Sequence, residues 1–190
     1  MSSTKQQAPW VRLQIHRPAR IVLMTMDGIG DSWLMHQIAS SASPPTKAQH
    51  RDVTDVWTYK LELPQISITS IDAENTGMYI KAKSHWQNLV RGNSDGIMFL
   101  TNGLEVDPER GFNSEIFMLK ELVSDLKETE RSVLLVLVDH ADQEGARSVG
   151  LIEQRIREVL IEHNRGSQCF TVLPVNAETG EGLWTALDWS

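Results

Sequence analysis

At 190 residues, 41% hydrophobic and 23% charged, the chain suits one globular domain that buries well over half of the surface its unfolded form exposes. A formal charge of -7, with 18 dispersed Lys and Arg residues, argues against a nucleic-acid partner, because counterion release needs clustered cations, and implies no steering of acidic substrates. The single cysteine, Cys169, cannot build a disulfide framework; it reads as a small buried hydrophobe in a reducing, cytoplasmic setting. No apolar run of ~18 residues occurs and no uninterrupted apolar stretch follows Met1 to Gln7, so neither a membrane span nor a signal peptide is expected.

Residues 1–19 read as an N-terminal arm and 20–190 as a single domain. The arm is polar and then sparsely apolar, with Trp10, Val11, Leu13 and Ile15 ahead of Pro18. Lying on the core is one reading of it. Peripheral association with a membrane surface through Trp10 and Val11, with Lys5, Arg12 and Arg17 as the only cations, is another. Ser2 stands where N-myristoylation requires Gly, so a lipid anchor of that kind is excluded.

A first strand is predicted over Ile21 to Met24 and a first helix from Asp31 to Ser40, with Trp33, Leu34 and Ile38 at near-helical spacing. Ser41 to Arg51, with Pro44 and Pro45 among small polar residues, predicts a mobile loop. Val53 to Leu63 and Ile66 to Asp72 carry β-branched alternation on either side of Pro64 and Gln65, the pattern of an antiparallel hairpin. A short helical patch follows around Trp86, Leu89 and Val90, then a strand over Asp95 to Thr101. The acidic run Glu105 to Glu109 reads as a solvated loop. Asn113 to Glu128 puts Ile116, Leu119, Leu122, Val123 and Leu126 on one helical face, with Asn113 or Ser114 as the cap. Ser132 to Val138 is apolar without alternation, as befits a strand buried on both faces inside a parallel sheet. A helix over Val149 to Glu162, a strand over Phe170 to Val175 and a helix over Gly182 to Trp189 complete the series.

That order predicts an α/β fold with a doubly wound, mostly parallel sheet and one antiparallel edge hairpin. Ligands of such sheets sit beyond the carboxyl ends of the strands, which here means the loops at Met26 to Ser32, Asp72 to Thr76, Asp139 to Asp142 and Val175 to Thr179. The first of these is a strand breaking into Asp27, Gly28, Ile29 and Gly30 and restarting as a helix, which leaves backbone N–H groups aimed at one point, as in a phosphate cradle. Against the phosphate-loop pattern GxxxxGK[ST], Gly30 and Ser32 match, while Thr25 and Asp31 stand for the first Gly and the Lys. An ordinary strand-to-helix turn is the bland alternative.

Taken together and in order, the loops resemble those of small GTPases, and details from Arg20 to Trp189 resemble the ADP-ribosylation-factor (Arf) family. SVLLVLVDHAD is similar to the family's strand into NKxD, ISITSID to its strand into DxxGGQ, and VNAETGEGLWTALDW to its closing loop and helix. Trp86 and Gly96 fall at the family's spacing after DxxGGQ. The resemblance implies a P-loop small-GTPase fold, GTP or GDP and magnesium as ligands, and a protein effector or scaffold engaged through residues 53–76.

Residue by residue the chemistry carries over only in part. The phosphate-binding Lys is Asp31, which reverses the sign of a charge worth roughly 4 kcal/mol at 4 Å and an effective dielectric of 20. A loss of even ~3 kcal/mol weakens binding about a hundredfold. Asp31 also has a structural reading, as the carboxylate that stabilises an empty helix N-terminus. Ser32 and Asp72 match the magnesium ligands, and Thr54 aligns, across a one-residue gap, with the Thr that caps the metal; a plain strand Thr is the other reading. Beyond Asp72 the family's two glycines and water-positioning Gln are Glu74, Asn75 and Thr76. Asp142 matches the carboxylate that accepts the guanine N–H groups, Asp139 and His140 stand for the Asn and Lys before it, and Asn176 and Ala177 fall where the closing loop offers backbone N–H to the base oxygen. No residue is assigned a catalytic role.

Two function classes stay open. One is a binding module on an Arf-like fold, with nucleotide binding weak or absent and hydrolysis lost. The other is a working GTP switch with slow, partner-assisted hydrolysis. The six His residues show no HExxH motif or zinc spacing, and no GxSxG occurs, so metalloprotease and serine-hydrolase chemistry are not supported.

Overall fold

The computed structural model describes residues 18–24, 31–41, 49–53, 56–64, 66–72, 87–91, 94–104, 111–125 and 127–187. Seven strands form one sheet: β1 (Ala19–Met24), β2 (Gln49–Val53), β3 (Val56–Glu62), β4 (Ile66–Asp72), β5 (Gly96–Asn102), β6 (Val133–Asp139) and β7 (Phe170–Val175), in the spatial order β2-β3-β4-β1-β5-β6-β7. The helices are α1 (Asp31–Ser41), α2 (Gly111–Asp125), α3 (Val149–Glu162) and α4 (Leu183–Leu187), with a helical stretch at 87–91 and a 3-10 turn over Lys127–Arg131. β4, β1, β5, β6 and β7 run parallel to one another, and β2, β3 and β4 are joined antiparallel. This is the doubly wound α/β arrangement of the small-GTPase fold.

β6 shows why the most apolar stretch of the chain became an inner strand. All seven of its residues are buried. Leu134, Val136 and Val138 join a core on one face with Ile116, Leu119 and Leu122 of α2 and Ile152, Ile156 and Val159 of α3. Val133, Leu135 and Leu137 join a second core on the other face, with Leu34, Met35 and Ile38 of α1 and Leu183 and Ala186 of α4. A strand covered by helices on both sides needs no polar face, and alternation is lost. α3 has the predicted bounds, its N-terminus capped by the Ser148 side chain, which accepts the Leu151 N–H at 3.2 Å.

Four expectations are corrected. The end of the predicted loop, residues 49–51, belongs to β2 (Gln49–Val53), an edge strand paired with β3, so the antiparallel region is a three-stranded meander and β3 is not at the edge. QHRDV has no alternation to betray it; its pairing comes from the backbone. Cys169 is exposed, while its carbonyl accepts the Leu134 N–H at 3.0 Å. Trp33 is also exposed, and the buried face of α1 is Leu34, Met35, Ile38 and Ala39. The helix expected from Asn113 begins at Gly111 and ends at Asp125, placing Asn113 and Ser114 inside it. The arm through residue 17, Leu126 and residues 105–110 lie outside the described residues. Among the described residues no helix is long and apolar enough to cross a membrane.

Candidate functional site

The parallel strands deliver their carboxyl ends to one side of the sheet. There Asn102 of β5 lies in register with Asp139 of β6, and Asp139 with Val175 of β7. Two loops therefore start side by side, 140–148 and 176–182, and they are where the predicted base-binding residues meet.

Asp139 is the joint between them. Its carboxylate is almost wholly buried, and Oδ1 accepts two backbone N–H groups, from His140 at 3.0 Å and from Ala177 at 2.9 Å. Bonds of this kind to a charged acceptor contribute roughly 1.5–3 kcal/mol each before desolvation is subtracted. The Asp139 carbonyl accepts the Gly103 N–H at 2.7 Å, which brings in the turn after β5 as a third segment. A Cβ at Gly103 would stand 2.8 Å from that carbonyl oxygen, so the close approach needs glycine.

His140 adopts a left-handed backbone, φ 55°, a conformation in which His is over-represented among non-glycine residues. Its carbonyl accepts the Gln143 N–H at 3.2 Å, closing the turn. Its ring Nδ1 is hydrogen-bonded to Gln143 Nε2 at 3.1 Å, and Nε2 stands 3.6 Å from Asp139 Oδ2. Asp142 is exposed, its carboxylate open to an incoming donor.

The second loop is closed by its own bonds. The Asn176 N–H goes to Glu181 O at 2.9 Å, Asn176 Oδ1 accepts the Thr179 N–H at 2.8 Å, and the Asn176 carbonyl accepts the Gly180 N–H at 2.8 Å. Ala177 is buried. Gln37 of α1 donates its side-chain N–H to the Glu178 carbonyl and packs against Gly180. Gly182, at φ +76°, returns the chain into α4 over the Pro174 carbonyl, where a Cβ would come within 2.5 Å of the oxygen. Gln37, Gly103 and Gln143 went unnoticed in the sequence. Gly103 carried the one legible sign, a glycine directly after a predicted strand.

The structure thus gathers Asp139, His140, Asn176 and Ala177, with Asp142 open beside them. Asp31 and Ser32 are the first two residues of α1, and Asp72 is the last of β4, opposite Trp57 of β3; the side chains of these residues lie outside the description. Asp27, Gly28, Ile29, Gly30, Thr54 and Trp86 lie wholly outside the described residues. Among the described residues no group of three His, Cys, Asp or Glu gathers that could hold a metal ion.

Set against the guanine contacts that the resemblance implies, the described residues fit on one edge only. Asp142 is exposed, as a carboxylate meant for the N–H edge would have to be. The N–H groups of Asn176 and Ala177, expected at the base oxygen, are both used inside the protein.

No protein-family model matches the chain. It is similar to ADP-ribosylation factor-like protein 1 of Drosophila melanogaster, with 22% identity over 177 residues, which cover 91% of this chain and 87% of the fly protein. With the strand order and the placement of the base-side loops, this similarity identifies the chain as a protein of the small-GTPase fold, distantly similar to an Arf-like protein.

Proposed function

We propose that the chain is an Arf-like small-GTPase-fold protein that acts as a partner-binding module or switch in intracellular transport, with guanine-nucleotide binding weakened and hydrolysis lost. The observation that carries this reading is the bond from the Ala177 N–H to Asp139 Oδ1. A donor that a base oxygen would need is satisfied by the protein's own carboxylate. A ligand that leaves its oxygen unpaired on burial forfeits about 1–3 kcal/mol. Asp31 at the position of the phosphate Lys, and Glu74, Asn75 and Thr76 in place of GGQ, work in the same direction at the phosphate end. The partner surface is assigned to residues 53–76, the β3–β4 hairpin and the loop after it, with a protein effector or scaffold as occupant and the cytoplasm as the setting.

Calorimetric titration of the nucleotide-free chain with magnesium and GDP or GTP tests the reading. It predicts a Kd weaker than about 100 µM for both, and a Kd below about 1 µM would overturn it. The alternative, a GTP switch with slow, partner-assisted hydrolysis, is favoured by one observation, the open carboxylate of Asp142; that sub-micromolar result would select it.

A further inference from the structure

We infer that the carboxyl end of the sheet carries a built-in latch, centred on Asp139, that holds the loops after β6 and β7 closed with no ligand present. Every bond in it lies within the chain, so it goes beyond the proposed function and stands whether or not a nucleotide binds. Asp139 Oδ1 accepts the N–H groups of His140 at 3.0 Å and Ala177 at 2.9 Å, and so fastens β6 to the closing loop. The Asp139 carbonyl accepts the Gly103 N–H at 2.7 Å, and the Gly103 carbonyl accepts the Arg147 N–H at 2.9 Å. That adds the turn after β5 and the residue before the Ser148 cap of α3. On the other side Gln37 of α1 donates to the Glu178 carbonyl and packs against Gly180. Segments distant in sequence are thereby joined in series.

Exposed loops ordinarily open locally and at little cost. Here the central acceptor is a carboxylate that is almost wholly buried, and a buried charge that loses a donor costs more than the bond itself. Release of the Ala177 N–H therefore leaves an uncompensated group at the end of β6, so the segments open together. The closing loop contains its own contrast. The N–H groups of residues 176, 177, 179 and 180 are bonded, to Glu181 O, Asp139 Oδ1, Asn176 Oδ1 and Asn176 O, whereas the N–H of Glu178, an exposed residue, makes no bond among the described residues. With the latch closed, Ala177 is protected and Glu178 beside it is not.

Amide hydrogen exchange of the nucleotide-free full chain, read residue by residue by NMR, tests this. Expected is exchange at Ala177 at least about a hundredfold slower than at Glu178, and shifted by less than about twofold relative to Val136 of β6 when millimolar GDP and magnesium are added. In Asp139→Ala, exchange should rise about tenfold or more at Gly103 and Gly180 as well as at His140 and Ala177, although the bonds of Gly103 and Gly180 do not use the removed carboxylate. In Gln37→Ala, a half-buried helix position that leaves Asp139 intact, Ala177 should exchange several-fold faster. Ala177 exchanging as fast as Glu178 in the wild type would overturn the inference without recourse to any variant. So would a slowing by GDP of about tenfold or more at Ala177 beyond that at Val136, because a ligand would then be ordering the loop. Acceleration confined to His140 and Ala177 in Asp139→Ala would also overturn it, since the segments would then open singly. The calorimetric Kd judges the proposed function separately: tight GDP binding with Ala177 and Val136 slowed alike would reject that reading and keep the latch.

Discussion

Asp139 is the residue on which the two loops turn, because its side chain is a carboxylate buried at the end of β6. An amide both donates and accepts, whereas a carboxylate only accepts. Buried at the end of β6, it draws in the N–H groups of its own loop and of the closing loop. The Gly103 N–H meets the same residue, so Gly103→Ala is expected to break the joint by forcing a Cβ to within 2.8 Å of the Asp139 carbonyl. Gly182→Ala strains a φ of +76° and meets the Pro174 carbonyl at 2.5 Å; urea denaturation should show a loss of roughly 2 kcal/mol or more. At the phosphate end Asp31→Lys should raise GDP affinity, by up to about a hundredfold. Equal calorimetric affinities for wild type and this variant would place Asp31 away from the phosphates. The sequence placed Asp139, His140, Asn176 and Ala177 at or just after strand ends. It could not expose their bonding, because the partner of the Ala177 N–H lies 38 residues away.

At the scale of elements, periodicity was a sound guide wherever one face of a helix or both faces of a strand are buried. Ile152, Ile156, Val159 and Leu160 are the buried residues of α3, as their spacing requires, and Ile156→Ala should cost about 2–5 kcal/mol in chemical denaturation. Ser148→Ala removes the cap of the same helix and should cost ~1 kcal/mol. Periodicity was a poor guide where side chains do not decide the conformation. β2 is held by backbone pairing with β3, and its sequence, QHRDV, offers no apolar face. Trp33 misled for the opposite reason: a large apolar residue at near-helical spacing, 57% exposed on the outer side of α1.

For the whole molecule, a sheet buried on both faces leaves its variable chemistry to the loops at one end, and a protein can lose nucleotide chemistry there without losing the fold. On the proposed function, the meander is the surface that meets a partner. Tyr59 on β3 is half-buried and packs against the core shared with α1, so Tyr59→Ala is expected to cost stability as well as partner capture. Pull-down with Trp57→Ala at an unchanged Tm should lose the partner; retention of the partner by the folded variant would move the working surface elsewhere. On the proposed alignment of Asp31 and Thr76 with the family's Lys and Gln, single-turnover GTP hydrolysis should not exceed the buffer rate. The most direct measurement of the central claim is the nucleotide content of the natively purified chain, released by denaturation and quantified by chromatography. The account predicts far less than one guanine nucleotide per chain, and one GDP or GTP per chain would contradict it.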